Sequence, residues 1–100
     1  MKADVLQQLG LTQNESKVYL TLLDTGLSST STIIESSGIH RINVYDALKK
    51  LKTKGFISEV IKNNKKQFQA ADPDNLKNLL KVQEIALQKI LPALQMSFTM

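Results

Sequence analysis

Two short runs of this 100-residue chain group side chains that could recognise another molecule through hydrogen bonds and charge. The first holds His40, Arg41, Ile42, Asn43 and Tyr45, with Lys49 one turn further on. An arginine fork can donate two bonds to guanine O6 and N7, and an asparagine amide can pair both ways with adenine N6 and N7. The second run holds Lys62, Asn64, Lys65 and Lys66, cations suited to phosphate oxygens or a minor groove. A third group, Ser29, Thr30 and Ser31, sets hydroxyls at a predicted helix start, where free backbone N–H groups favour an anion. Each group also has a plainer reading. The Ser/Thr cluster caps a helix, and His40 is more a turn or capping residue than a reader of bases. Tyr45 lays its ring on the core or offers its hydroxyl outward. Of Lys49, Lys50, Lys52 and Lys54, two are expected to serve only the helix, solvating its outer face and complementing its dipole.

Other chemistries find little material. There is no cysteine, and His40 is the one histidine, so thiolate and polyhistidine metal sites are excluded. The serines and threonines have no neighbouring base to activate a nucleophile. No phosphate-binding glycine loop or dinucleotide fingerprint occurs. The chain is expected to be no enzyme and to need no cofactor. No run of 18 apolar residues suggests a membrane span, and the first ten residues lack the apolar centre of a secretory signal. The cytoplasm is the default compartment and no membrane partner is expected.

The elements that would position these residues follow from capping and periodicity. A first helix is expected from Lys2 to Leu9, with Val5, Leu6 and Leu9 on one side and Gly10 as its stop. Thr12 and Glu15 form a capping box, after which Val18, Tyr19, Leu22 and Leu23 make a helical stripe that ends at Gly26. A short helix around Ile33 and Ile34 ends at Gly38. The next runs from Arg41 to Lys54 with Val44, Leu48 and Leu51 inward, and Gly55 closes it. Phe56 to Ile61 and Gln67 to Ala70 read as strands flanking a polar turn. Asp72 and Pro73 open a last helix. On it Leu76, Leu80, Gln83, Leu87, Ile90 and Leu94 recur at heptad spacing, with Leu79, Ala86 and Ala93 beside them. Pro92 is expected to kink or break that helix, because it cannot bond to the carbonyl of Gln88.

This order predicts a mainly α fold with a small β-hairpin. It is a winged helix-turn-helix over residues 1–71, followed at 72–100 by an amphipathic, coiled-coil-like dimerisation helix of the same domain. The segment from Ile39 to Phe68 holds eight basic and two acidic residues, a net +6, against −2 for the remainder of a chain whose total is +4. Such concentration is the electrostatic footprint of a nucleic-acid face. The reading that follows is a dimeric, sequence-specific binder of double-stranded DNA that regulates transcription. The helix from Arg41 would enter the major groove, and the basic wing would lie on backbone or minor groove. Two alternatives stay open. The fold could serve as a protein-interaction module without DNA binding, and the last helix could fold back over the core of a monomer.

A family resemblance adds to this reading. The run from Leu9 to Leu23 (LGLTQNESKVYLTLL) and the run from Ile33 to Ile57 (IIESSGIHRINVYDALKKLKTKGFI) resemble the DNA-binding part of TrmB-like transcription regulators. Phe68 to Ala70, followed by Asp72 and Pro73, matches as well, so the resemblance covers roughly residues 6 to 80. It implies a winged-helix DNA binder, often dimeric, acting as repressor or activator, with Arg41, Ile42, Asn43 and Tyr45 on the reading helix. His40 stands where the family commonly has proline. Many members continue into a sugar-binding effector domain, whereas this chain stops just past the helical seam. Sugar sensing is therefore not carried over, and the chain is either a stand-alone regulator or a piece of a longer one.

Overall fold

The computed structural model describes residues 3–99. Its elements are α1 (Ala3–Gln7), α2 (Gln13–Thr25), α3 (Thr30–Ser37), α4 (Arg41–Lys54), β1 (Ile57–Lys62), β2 (Lys65–Ala70) and α5 (Leu76–Thr99), with a 3₁₀ turn at Pro73–Asn75 leading into α5. Lys2, the expected start of the first helix, lies outside the described residues.

The caps form as the side chains dictate. The Thr12 hydroxyl accepts from the Glu15 N–H at 3.1 Å while the Glu15 carboxylate accepts from the Thr12 N–H at 3.2 Å. These bonds satisfy two of the donors that the first turn of α2 leaves free. Ser29 caps α3 through the Thr32 N–H at 3.3 Å. Asp72 caps the turn at Pro73 through the Asp74 N–H at 3.0 Å. α3 and α4 both end on a glycine in the left-handed region, Gly38 and Gly55. Gly55 has a second reason to lack a side chain: a Cβ there would stand 2.8 Å from Leu79 Cδ2, where α5 leaves the core.

The apolar stripes meet in one core. Leu6, Leu11, Val18, Tyr19, Leu22, Ile33, Val44, Ala47, Leu48, Leu51, Phe56, Ile57 and Phe68 are all buried. The Tyr19 and Phe56 rings meet edge to face with centroids 5.7 Å apart, the arrangement their quadrupoles prefer. Val5, Leu9 and Leu23, expected on buried faces, are instead exposed. α1 is only five residues long, and among its residues with described side chains Leu6 is the one turned inward. Leu9 falls in the turn beyond its end.

The wing is a two-stranded antiparallel hairpin in the register Ile57 to Ala70 through Lys62 to Lys65. Its strands run further toward the tip than the polar residues suggested, and only Asn63 and Asn64 turn. Both have positive φ, 54° and 62°, the conformation of a two-residue hairpin loop whose twist matches the strands. Ser28 pairs with Phe68 through two backbone bonds of 2.8 and 2.9 Å. This pairing ties the hairpin to the loop before α3.

α5 does not break at Pro92. The helix continues through it to Thr99. Proline removes one backbone bond, but Ala86, Leu87 and Gln88 before it and Ala93, Leu94, Gln95 and Met96 after it all favour the helical state. Nor does α5 fold back. Leu76 and Leu79 pack on the core, and every described residue from Leu80 onward is exposed. A 24-residue helix is about 36 Å long, which accounts for the elongated outline of 54 × 24 × 24 Å.

Candidate nucleic-acid interface

α3, the bend at Gly38 and α4 make the helix-turn-helix. The bend is held by the Gly38 N–H donating to the Ile34 carbonyl at 3.0 Å and by the Ser37 hydroxyl accepting from the Ile39 N–H at 3.2 Å. Ile39 is buried and pins the turn to the core. His40 caps α4, its Nδ1 accepting from the Ile42 N–H at 3.4 Å. That use of the ring agrees with its reading as a capping residue.

Because α4 turns Val44, Ala47, Leu48 and Leu51 inward, Arg41, Ile42, Asn43, Tyr45 and Lys49 are left exposed. Ile42 is 70% and Tyr45 51% accessible. The Tyr45 hydroxyl lies 3.5 Å from an Arg41 guanidinium nitrogen, one turn back. Both side chains therefore share one edge of the helix.

The lysines of α4 divide by the carboxylates within reach. Three of the four are engaged with carboxylates. Lys50 pairs with Asp46 at 3.2 Å and Lys52 with Glu59 of β1 at 3.5 Å. Lys54 reaches the buried Glu15 at 2.6 Å and also donates to the Gly10 carbonyl at 3.2 Å. Only Lys49 of the four makes no ion pair among the described residues, and the same holds for Arg41, Lys62, Lys65 and Lys66. Sequence pattern could not assign the Lys54 contact. Its partner is 39 positions away, and Glu15 is already accounted for by the capping box.

The residues singled out in the sequence fall into two groups. Thr30 from α3, Tyr45 and Lys49 from α4, and Lys66 from β2 line one groove of about 250 Å³, floored by Leu48 and Phe68. Lys52 and Glu59 also line it, and sequence reasoning missed their place there. Lys62, Asn64 and Lys65 stand apart from this groove at the tip of the hairpin, where Lys62 and Lys65 are directly opposed. Ser29 is half-buried at the cap of α3, and Ser31 is exposed in its first turn. Among the described residues no group of acidic or histidine side chains is arranged to hold a metal ion, and no helix is long and apolar enough to cross a membrane.

Comparison with known proteins places this geometry. The family model described as "Sugar-specific transcriptional regulator TrmB" matches residues 6–74. The chain belongs to the TrmB family. The match includes the whole helix-turn-helix and wing and stops short of α5. A curated TrmB relative, the HTH-type sugar sensing transcriptional regulator TrmBL1 of Pyrococcus furiosus, is 35% identical over 85 residues. Those residues are 85% of this chain and 22% of that protein, so the chain spans about a fifth of its relative's length. Among solved structures, the archaeal chromatin protein TrmBL2, reported to show a novel mode of DNA binding, superposes with a TM-score of 0.82 at 21% identity. The match covers 97% of this chain and 38% of that one. A possible transcriptional regulator from Methanosarcina mazei Go1 gives 0.70 at 18% identity over 92% of this chain and 84% of that one. These structural likenesses establish the winged-helix fold.

Proposed function

We propose that this TrmB-family chain is a sequence-specific, double-stranded-DNA-binding transcription regulator that acts as a homodimer. α4 enters the major groove with Arg41, Ile42, Asn43 and Tyr45. Lys49 and the N-terminus of α3, with Ser29, Thr30 and Ser31, hold phosphates beside it. The wing lays Lys62, Asn64, Lys65 and Lys66 on backbone or minor groove. His40 contributes chiefly by capping α4. Residues 1–71 form the DNA-binding unit, and 72–100 form the dimerisation helix through Leu80, Gln83, Leu87, Ile90 and Leu94; Leu76, expected to open that seam, packs on the core of its own chain instead. The observation that carries this reading is the groove that gathers Thr30, Tyr45, Lys49 and Lys66 from three separate elements. Lys49 and Lys66 on it make no ion pair among the described residues, which leaves them available to phosphates. The Pyrococcus furiosus relative, a transcriptional regulator by name, supports the same direction.

Selection from a random duplex pool tests it. The protein should enrich one two-fold-symmetric sequence. Affinity for that sequence should fall about 10³–10⁵-fold between roughly 50 and 200 mM salt if 6–10 phosphates are contacted. Enrichment of nothing, or binding indifferent to salt, would overturn the proposal and shift weight to a protein partner.

A further inference from the structure

The buried stripe of α4 fixes which way its free face points. A helix advances about 100° per residue. Measured from the mean direction of Val44, Ala47, Leu48 and Leu51, the opposite side carries Ile42, Asp46, Lys49 and Thr53. Arg41 and Asn43 stand about 100° to either side of Ile42, so they lean toward opposite edges of the helix. The most outward side chain in the first turn is thus neither hydrogen-bonding residue but the isoleucine between them. Ile42 is 70% accessible. It packs against none of the core, and as a β-branched residue on a helix surface it adds nothing to helix propensity. Asp46, one turn on and on the same side, is already engaged by Lys50.

We infer that Ile42 is a specificity-determining residue of α4 and reads the 5-methyl group of a thymine at the floor of the major groove. This rests on the DNA-binding reading above and sharpens it. Among the edges of the four bases in that groove, thymine alone presents an apolar group. An apolar side chain aimed at the groove floor has one complementary target, and beside cytosine, guanine or adenine it would cover polar groups without satisfying them. Arg41 and Asn43 then flank the methyl contact, and Tyr45, half exposed on the same turn, widens the apolar surface around it.

The test uses the duplex selected by the unmodified protein, with each thymine replaced in turn by uracil, which keeps the hydrogen-bonding edge and removes only the methyl. One thymine position per half-site should respond, with about fourfold weaker binding per half-site, the equivalent of ~0.8 kcal/mol for one buried methyl-sized group. Ile42→Ala should weaken binding to the thymine duplex, and in that variant uracil at the same position should cost nothing further. Because Ile42 supports no core contact, the variant should keep the parent's thermal midpoint. Uracil tolerated at every position, or penalties for Ile42→Ala and uracil that simply add, would overturn the assignment while leaving DNA binding intact. A parent protein that selects no duplex would overturn both.

Discussion

At the scale of residues, Glu15 is where the amino-terminal half of the molecule converges. Its carboxylate is 1% exposed, closes the cap of α2 and receives the Lys54 ammonium from the last turn of α4. The pair joins two helices that sequence distance keeps apart. Lys54→Met should therefore cost about 1–3 kcal/mol, because it leaves a buried anion short of a donor. Lys50→Met, which breaks an exposed pair with Asp46, should cost under about 0.5 kcal/mol. Urea midpoints of the two variants check the contrast, and equal midpoints would refute it. Tyr19 makes a second residue-scale prediction. Burial, with the Asp72 carboxylate adding to it, raises its phenol above the ordinary value of 10.0. The hydroxyl donates to the Ala71 carbonyl at 3.3 Å. The unfolded phenol ionises first, so the folded state binds the proton more tightly. The stability this contributes is present below about pH 10 and is lost as pH rises through the folded value. Between about pH 8 and pH 10.5 the parent should lose more stability than Tyr19→Phe, and identical slopes would refute the argument.

Among the elements, the hairpin is where charge and fold are at odds. Lys62 and Lys65 are direct cross-strand partners at the tip, next to the Ile61–Lys66 pair. Like charges so placed destabilise a hairpin, a cost that an anionic partner would relieve. Lys65→Glu should stabilise the free protein by about 0.5 kcal/mol while weakening every duplex alike and flattening the salt dependence. Unequal losses across sequences would instead make Lys65 a reader of bases. The contrast between wing and helices also shows what local sequence can carry. Thr12 with Glu15, Asp72 with Pro73, and the glycines after α2, α3 and α4 are local signals, and each marks an element end correctly. The tip of the wing is less legible, because Lys62 and Lys65 look like turn residues until Asn63 and Asn64 are seen to take both left-handed positions. Pro92 does not end the helix, since its single lost bond is outvoted by helix-favouring neighbours. The groove was half visible: Thr30, Tyr45, Lys49 and Lys66 carry recognisable chemistry. Lys52 and Glu59 join it only because β1 folds against α4.

For the whole molecule, the proposed dimer rests on α5. The structure anchors it by Leu76 and Leu79 alone, and Leu80, Leu87, Ile90 and Leu94 are each about half accessible, from 47% to 53%. Four large apolar side chains along one heptad seam, on a helix that packs on its own domain at its root, lack a counterpart among the described residues. A second copy would supply one, because the same seam would face itself across a two-fold axis. Gln83 interrupts the seam, at some cost in stability, and favours the register that pairs it with a polar group. Dimerisation would set two copies of α4 to read half-sites about 34 Å apart, one turn of DNA, or a multiple of it. Leu87→Glu places a charge in the middle of that seam and touches no core residue. Light scattering should give twice the chain mass for the parent and the single chain mass for the variant, with the thermal midpoint of the winged-helix unit preserved. The variant should still hold single half-sites weakly but lose its preference for the two-fold-symmetric duplex. A parent at single mass, or a variant that stays at double mass, would place the dimer contact elsewhere and leave the seam of α5 to another partner.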